Sequence, residues 1–212
     1  HTYQITNESG ISTNISNAEE ESDLGVTFDK KLDYKMHVAK ITKKANSVTG
    51  LIARNFKHLD ASAFTTLYKT LVRPRLEYAS PVWSPHLIGK IDCLEAVQRR
   101  ATRMVKSVRK KPYEERLKTL GLPTLAYRRK RADMIQTFKI CKGMDNIDQE
   151  TLFRRNLSQR TRGHCFKLEK DRFLSRRRGS SFRHRITDSW NLLSNEVVKG
   201  EFSRAHRIHK GS

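Results

Sequence analysis

The chain has 212 residues, with 43 Lys and Arg against 22 Asp and Glu, for a formal net charge of +21; that length fills one good core or two small ones. Such a charge exceeds what solubility needs and draws polyanions, nucleic acid first and membrane surfaces second. No run of about 18 apolar residues is present to span a bilayer, three widely spaced cysteines make no disulfide framework, and nine Phe, six Tyr and two Trp are too many for plain disorder.

The first residues, His1-Thr2-Tyr3-Gln4, do not form the basic and apolar stretches of a secretory leader. With Cys93, Cys141 and Cys165 read as reduced thiols, the expected setting is intracellular, nucleus or cytoplasm, without a membrane partner. Residues 1–22 hold four Glu and no Lys or Arg and are expected to be a loop or edge strand. Leu24, Val26 and Phe28 alternate with small or polar residues, the period-2 pattern of a half-buried strand over Leu24 to Asp29.

From Tyr34 the spacing turns helical, with Met36, Val38, Ile41, Ala45, Val48 and Ile52 on one face, Asp33 as cap, and Lys43 and Lys44 among the surrounding bases. A second helix is expected to begin at the N-cap Asp60 and to stop where Pro74 removes a donor. Leu76 to Pro85, with two prolines and the rings of Tyr78 and Trp83, reads as a short helical or irregular connection. Leu87, Ile91, Leu94, Val97, Ala101, Met104, Val105 and Val108 predict a long amphipathic helix. Its polar side carries Arg99, Arg100, Arg103, Lys106 and Arg109, and basic residues at a helix C-terminus also complement the dipole.

Pro112 and Gly121 bracket a short helix over Tyr113 to Leu120, and Thr124 caps another that carries Leu125, Ala132, Ile135, Phe138 and Cys141 inward. Residues 154–185 are irregular and hold twelve Lys or Arg against two acids, including the run Arg176-Arg177-Arg178. His164 to Leu168 is expected to form a short strand, and Phe182, Ile186, Trp190 and Leu193 a last helix. The fold class expected is mainly α.

Chemistry is conspicuous by what is missing. Two-metal nucleotidyl transfer needs carboxylates held a few ångströms apart, and the chain has no Asp-Asp pair. Asp29 and Asp33 read as turn and cap residues, Glu114 and Glu115 as first-turn acids of a helix, and Glu19-Glu20-Glu21 as a solvated loop. His164 and Cys165 lack partners at metal-ligand spacing, His206 and His209 read as solvated, and no glycine-rich phosphate loop is present. No catalytic residue, metal site or cofactor is assigned. The candidate nucleic-acid-binding residues are Lys43, Lys44, Arg99, Arg100, Arg103, Lys106, Arg109, Arg176, Arg177 and Arg178. Few acids lie at i±4 from those on the long helix, whereas a stabilising surface lattice mixes both signs.

The order of several blocks carries a resemblance. Asp23-Leu24-Gly25-Val26-Thr27-Phe28-Asp29, then Leu32, His37 and the basic helix, are followed by Leu67-Tyr68-Lys69-Thr70-Leu71-Val72-Arg73-Pro74-Arg75-Leu76-Glu77-Tyr78-Ala79-Ser80-Pro81-Val82-Trp83. Leu94-Glu95-Ala96-Val97-Gln98-Arg99-Arg100-Ala101-Thr102-Arg103 and Ser189-Trp190-Asn191-Leu192-Leu193 continue it. Over about residues 20–200 the chain resembles the carboxy-terminal part of reverse transcriptases from non-LTR retrotransposons, LINE-like elements of the jockey and chicken-repeat type.

That resemblance implies a palm-edge remnant over residues 1–30, a helical thumb-like region over 31–110, a basic helical extension over 111–198 and a disordered tail over 199–212. It implies a non-catalytic fragment of an RNA-directed DNA polymerase that grips an RNA and DNA template–primer duplex through its phosphates. The palm and fingers of the same polyprotein would be its upstream partners, and the full enzyme would use Mg. The remnant strand would have an unpaired edge and poor protection. The alternative is a stand-alone basic nucleic-acid-binding or scaffolding protein derived from such an element.

Overall fold

A computed structural model describes residues 3–6, 10, 12–15, 18–156 and 164–200, and it is mainly helical, as the periodicity predicts. Two antiparallel hairpins come first: β1 (Tyr3–Thr6) with β2 (Ser12–Ile15), and β3 (Glu20–Asp23) with β4 (Val26–Asp29). The expectation of a loop or single edge strand before residue 22 is therefore corrected. Glu20 and Glu21 lie on β3 rather than in a loop, though both are exposed.

The expected strand also starts two residues late. Leu24 (φ 44°) and Gly25 (φ 81°) form the two-residue turn of the second hairpin, both left-handed, as right-twisted hairpins require. A leucine there costs about 1–2 kcal/mol. The Tyr78 hydroxyl donates to its carbonyl at 3.0 Å, while the Leu24 side chain is 82% exposed. Val26 and Thr27 are buried instead. β3 pairs with one side of β4 and, among the described residues, no strand pairs with the other, as expected; there the Thr27 N–H donates to His37 Nδ1 at 3.2 Å on α1 (Lys35–Asn55).

Asp29 and Asp33 take the turn roles expected, their carboxylates accepting the N–H groups of Lys31, Asp33 and Lys35 at the entry to α1. The N-cap, however, is not Asp33 as expected but Tyr34, left-handed at φ 56° and without a side-chain cap bond. Of the expected apolar face, Val38, Ala45 and Ile52 are buried and Met36 is exposed. At 100° per residue Met36 falls on the far side of the helix from Val38, and His37 and Thr49 complete the buried stripe.

Asp60 caps α2 (Ala61–Leu67) by accepting the Ala63 N–H at 2.8 Å. The chain does not stop before Pro74. Tyr68–Val72 widens into a π-helical turn in which the Arg73 N–H reaches the Tyr68 carbonyl, and α3 (Arg73–Glu77) follows. Proline offers no donor to the carbonyl four residues back, and the wider turn accommodates that loss without ending the helix. A second short helix, α4 (Ser80–Trp83), leads to α5 (Ile88–Thr102).

The long helix is shorter than expected. Its ladder ends because the Arg99 carbonyl is taken by Thr102 Oγ1 and by Arg116 Nη1, both at 3.1 Å. Residues 103–111 then wind in three-residue turns that still bury Val105 and Val108. Pro112 and the left-handed Gly121 bracket α6 (Tyr113–Leu120), and Thr124 caps α7 (Leu125–Cys141) at 3.1 Å. Then come α8 (Gln149–Leu152), α9 (Arg176–Gly179), α10 (Phe182–Asn191) and α11 (Asn195–Lys199). The strand expected over His164 to Leu168 is only an isolated bridge from Arg155 to Leu168. His164 instead is buried against Trp190, whose carbonyl lies 2.9 Å from its Nε2.

Two apolar cores result. One runs from Val26 to Leu125, and the other collects Phe138, Phe153, Leu168, Ile186, Trp190 and Val198. Helix α7 spans both. Residues beyond Gly200, including His206, His209 and most of the expected tail, lie outside the described residues.

The hairpin contact also titrates. Burial, then Lys40 and Lys44, hold the His37 imidazole below its ordinary pKa. As pH falls through about 6.5, the unfolded chain takes up a proton that the folded chain resists. Stability that is complete above that pH is thus lost toward the lower folded pKa. The urea midpoint should drop from about pH 7 to about pH 5, and His37→Asn, which keeps an acceptor but no titration, should flatten the drop. An equal drop in the variant would place the titration elsewhere.

Candidate nucleic-acid interface

The basic residues that the sequence singles out are sorted by two neighbouring helices. Lys90 at the start of α5 reaches Asp33 at the start of α1 at 2.7 Å, and farther along Arg100 Nη1 donates to Asn46 Oδ1 at 3.1 Å. The two helices therefore run side by side in the same direction. Leu94, Val97, Gln98 and Ala101 face the core, which leaves Arg99, Arg100 and Arg103 on the exposed side of α5.

These three arginines divide the exposed side between them. Arg100 leans toward α1 through Asn46, and Lys43, three residues before Asn46, lies on the same side of that helix. Arg99 leans the other way, its guanidinium 5.1 Å from the centre of the Tyr113 ring on α6. Arg103 sits between them by helical angle. Lys106 and Arg109 extend the strip as exposed residues of the turns that follow.

Four expected residues fall elsewhere. Lys44, one step round α1 from Lys43, bears electrostatically on His37 instead. Arg177 and Arg178 are exposed on α9, which packs on α10 in the second core. Nothing is described of the Arg176 side chain beyond its place at the start of α9.

The sequence reading missed Arg116. It stands one helical turn after Tyr113, is 2% exposed, and places its guanidinium 5.5 Å from the same ring that Arg99 covers. Its Nε has no partner, and burial followed by the nearby Arg103 pulls its pKa down. The signal available was the i, i+3 pair Tyr113 and Arg116, but nothing local says that a helix-surface arginine will be buried.

Charge on this strip is not neutralised from within. Among the described residues none of Lys43, Arg99, Arg100, Arg103, Lys106, Arg109 or Arg116 is in an ion pair with a carboxylate. The ion pairs that do form lie elsewhere, such as Lys90 with Asp33 and Lys170 with Asp188. A row of exposed guanidinium groups and amines without acids can neutralise phosphates spaced along a backbone. Of the aromatics, Tyr113 lies beside the strip under Arg99, whereas Phe64, Tyr68 and Trp83 are buried and Tyr78, at 60% exposure, spends its hydroxyl on Leu24.

Among the described residues no cluster of three His, Cys, Asp or Glu could hold a metal ion, and no helix is long and apolar enough to cross a membrane. No protein-family model matches the chain, and neither does any curated protein or solved structure.

Proposed function

We propose that this chain grips template–primer nucleic acid through its phosphate backbone, as the non-catalytic carboxy-terminal part of a retrotransposon reverse transcriptase. The observation that carries this reading is the strip Lys43, Arg100, Arg103 and Arg99 across α1 and α5, free of acidic partners on a chain of net charge +21. Phosphate contacts position a duplex and carry no base information, so the grip is independent of sequence. Polymerase chemistry belongs to upstream carboxylates and their Mg, and the chain by itself extends no primer.

Each phosphate neutralised on a B-form duplex contributes about −0.9 to the slope of log affinity against log salt. Changing Arg100 and Arg103 together to Ala should therefore flatten that slope by up to about two units and weaken all duplex sequences alike. A folded double variant with unchanged slope and affinity would show the strip to be merely solvated, and the segment 154–185 would become the next candidate.

A second reading, a self-contained basic nucleic-acid-binding or scaffolding protein, draws on one observation. The outward N–H of Thr27 on β4 is taken by His37 of the same chain, where a palm remnant would offer it to another strand. Both readings share the salt dependence, and an upstream open frame carrying an Asp-Asp motif separates them.

A further inference from the structure

A cavity of about 310 Å³ opens where α7 and α10 meet the connection between α4 and α5. Its charged lining is Arg129, Lys130 and Arg185 against a single carboxylate, Asp133. Asp133 is already committed, accepting Arg185 Nε and Nη2 at 2.9 Å each. Arg129 is 4% exposed, yet its Nη1 has no hydrogen-bond partner.

The other carboxylates that act electrostatically on Arg129 accept hydrogen bonds from other groups. Glu77 is bound by Arg128, and Glu95 accepts the Tyr113 hydroxyl and the Leu125 N–H. A buried guanidinium nitrogen that makes no hydrogen bond is costly, and this guanidinium lines an open cavity with two further cations beside it. Phosphate oxygens match a guanidinium fork with charge-assisted hydrogen bonds.

We infer that this cavity binds a phosphate group, with Arg129 as the buried anchor and Lys130 at its exposed margin. An apolar cavity of about 360 Å³ adjoins it across Lys130 and Ser189, so there is room for the less polar remainder of an organic phosphate. A nucleic-acid end and free phosphate both present this group, and the site stands whether or not the α1–α5 strip grips a duplex.

The test titrates the full chain with inorganic phosphate at constant ionic strength, reading affinity by calorimetry. Saturable binding is expected, weakened about tenfold or more in Arg129→Met, since a hydrogen bond to a charged group contributes about 1.5–3 kcal/mol. Lys130→Gln, on an exposed side chain, should weaken it as well and serves if Arg129→Met does not fold. Equal titrations for the native chain and every folded variant, or no saturation, would overturn the site.

A second arm compares 5′-phosphorylated and 5′-hydroxyl oligonucleotides. A preference for the phosphorylated strand that needs Arg129 assigns the group to nucleic acid, and no preference assigns it to free phosphate. The Arg100 and Arg103 double variant should keep its phosphate titration, so failure of the backbone grip and failure of this site are distinguishable.

Discussion

Replacing Trp83 by alanine is expected to cost about 3–5 kcal/mol of folding stability and to loosen the second hairpin at the same time. Trp83 is 0% exposed, its Nε1 donates to the Tyr78 carbonyl at 2.7 Å, and its ring lies 4.9 Å from that of His37. His37 in turn accepts the Thr27 N–H, and Tyr78 holds the Leu24 carbonyl. The residues at 24–27, 37, 78 and 83 thus form one chain of contacts, from the hairpin turn through α1 to the end of α4. Urea unfolding measures the cost, and faster amide exchange at Val26 and Thr27 reports the loosened hairpin. Leu24→Ala, at an exposed side chain, should stay within about 0.5 kcal/mol. A Trp83→Ala loss below about 1 kcal/mol, well under the usual range, would mean that the core closes over the missing ring.

Removing the Asp133 carboxylate should be as damaging, about 3–5 kcal/mol, because it strands buried positive charge. The Arg185 guanidinium makes four hydrogen bonds in the native fold, two to Asp133 on α7, one to the Pro81 carbonyl of α4 at 2.6 Å and one to the Ser180 carbonyl at 3.2 Å. Burial outweighs the pull of Arg185 and raises the Asp133 pKa. Asp133→Ala leaves Arg185 with no anion and Arg129 with one fewer. Because α10 reaches α4 through this arginine, the second core should detach from the first before global unfolding, seen as early loss of the Trp190 signal in denaturant. The pair Asp133→Leu with Arg185→Met should recover part of the loss, since apolar replacement of a whole buried pair is often tolerated. A single variant as stable as the native chain would refute the role of the pair.

Much of the fold was legible locally. Asp60 and Thr124 cap helices because a short acceptor ahead of an apolar repeat satisfies an orphan N–H within three residues. Pro112 and Gly121 mark α6 by their own backbone restrictions. Of the positions that spacing turns inward, Leu94, Val97 and Ala101 on α5 and Ile186 and Trp190 on α10 are buried. For the candidate interface, the sequence placed Arg99, Arg100 and Arg103 opposite the apolar face of their helix, and that is where they lie.

What the sequence by itself determined, then, was the type and limits of most helices and the excess of positive charge, because propensity, capping and periodicity act among near neighbours. Only the tertiary structure decided which groups meet. A leucine occupies a left-handed turn where Tyr78, far along the chain, holds its carbonyl, and α5 ends early where Arg116 competes for the carbonyl of Arg99. Lys43 and Lys44 are adjacent in sequence, yet one lies on the side of α1 that meets α5 through Asn46 and the other bears on His37. Arg129 and Asp133 read as one more charged stretch of a basic helix, and they are buried because Arg185 arrives from α10. A charged side chain carries no local mark of burial, since the partner that makes burial tolerable is supplied by a distant part of the chain.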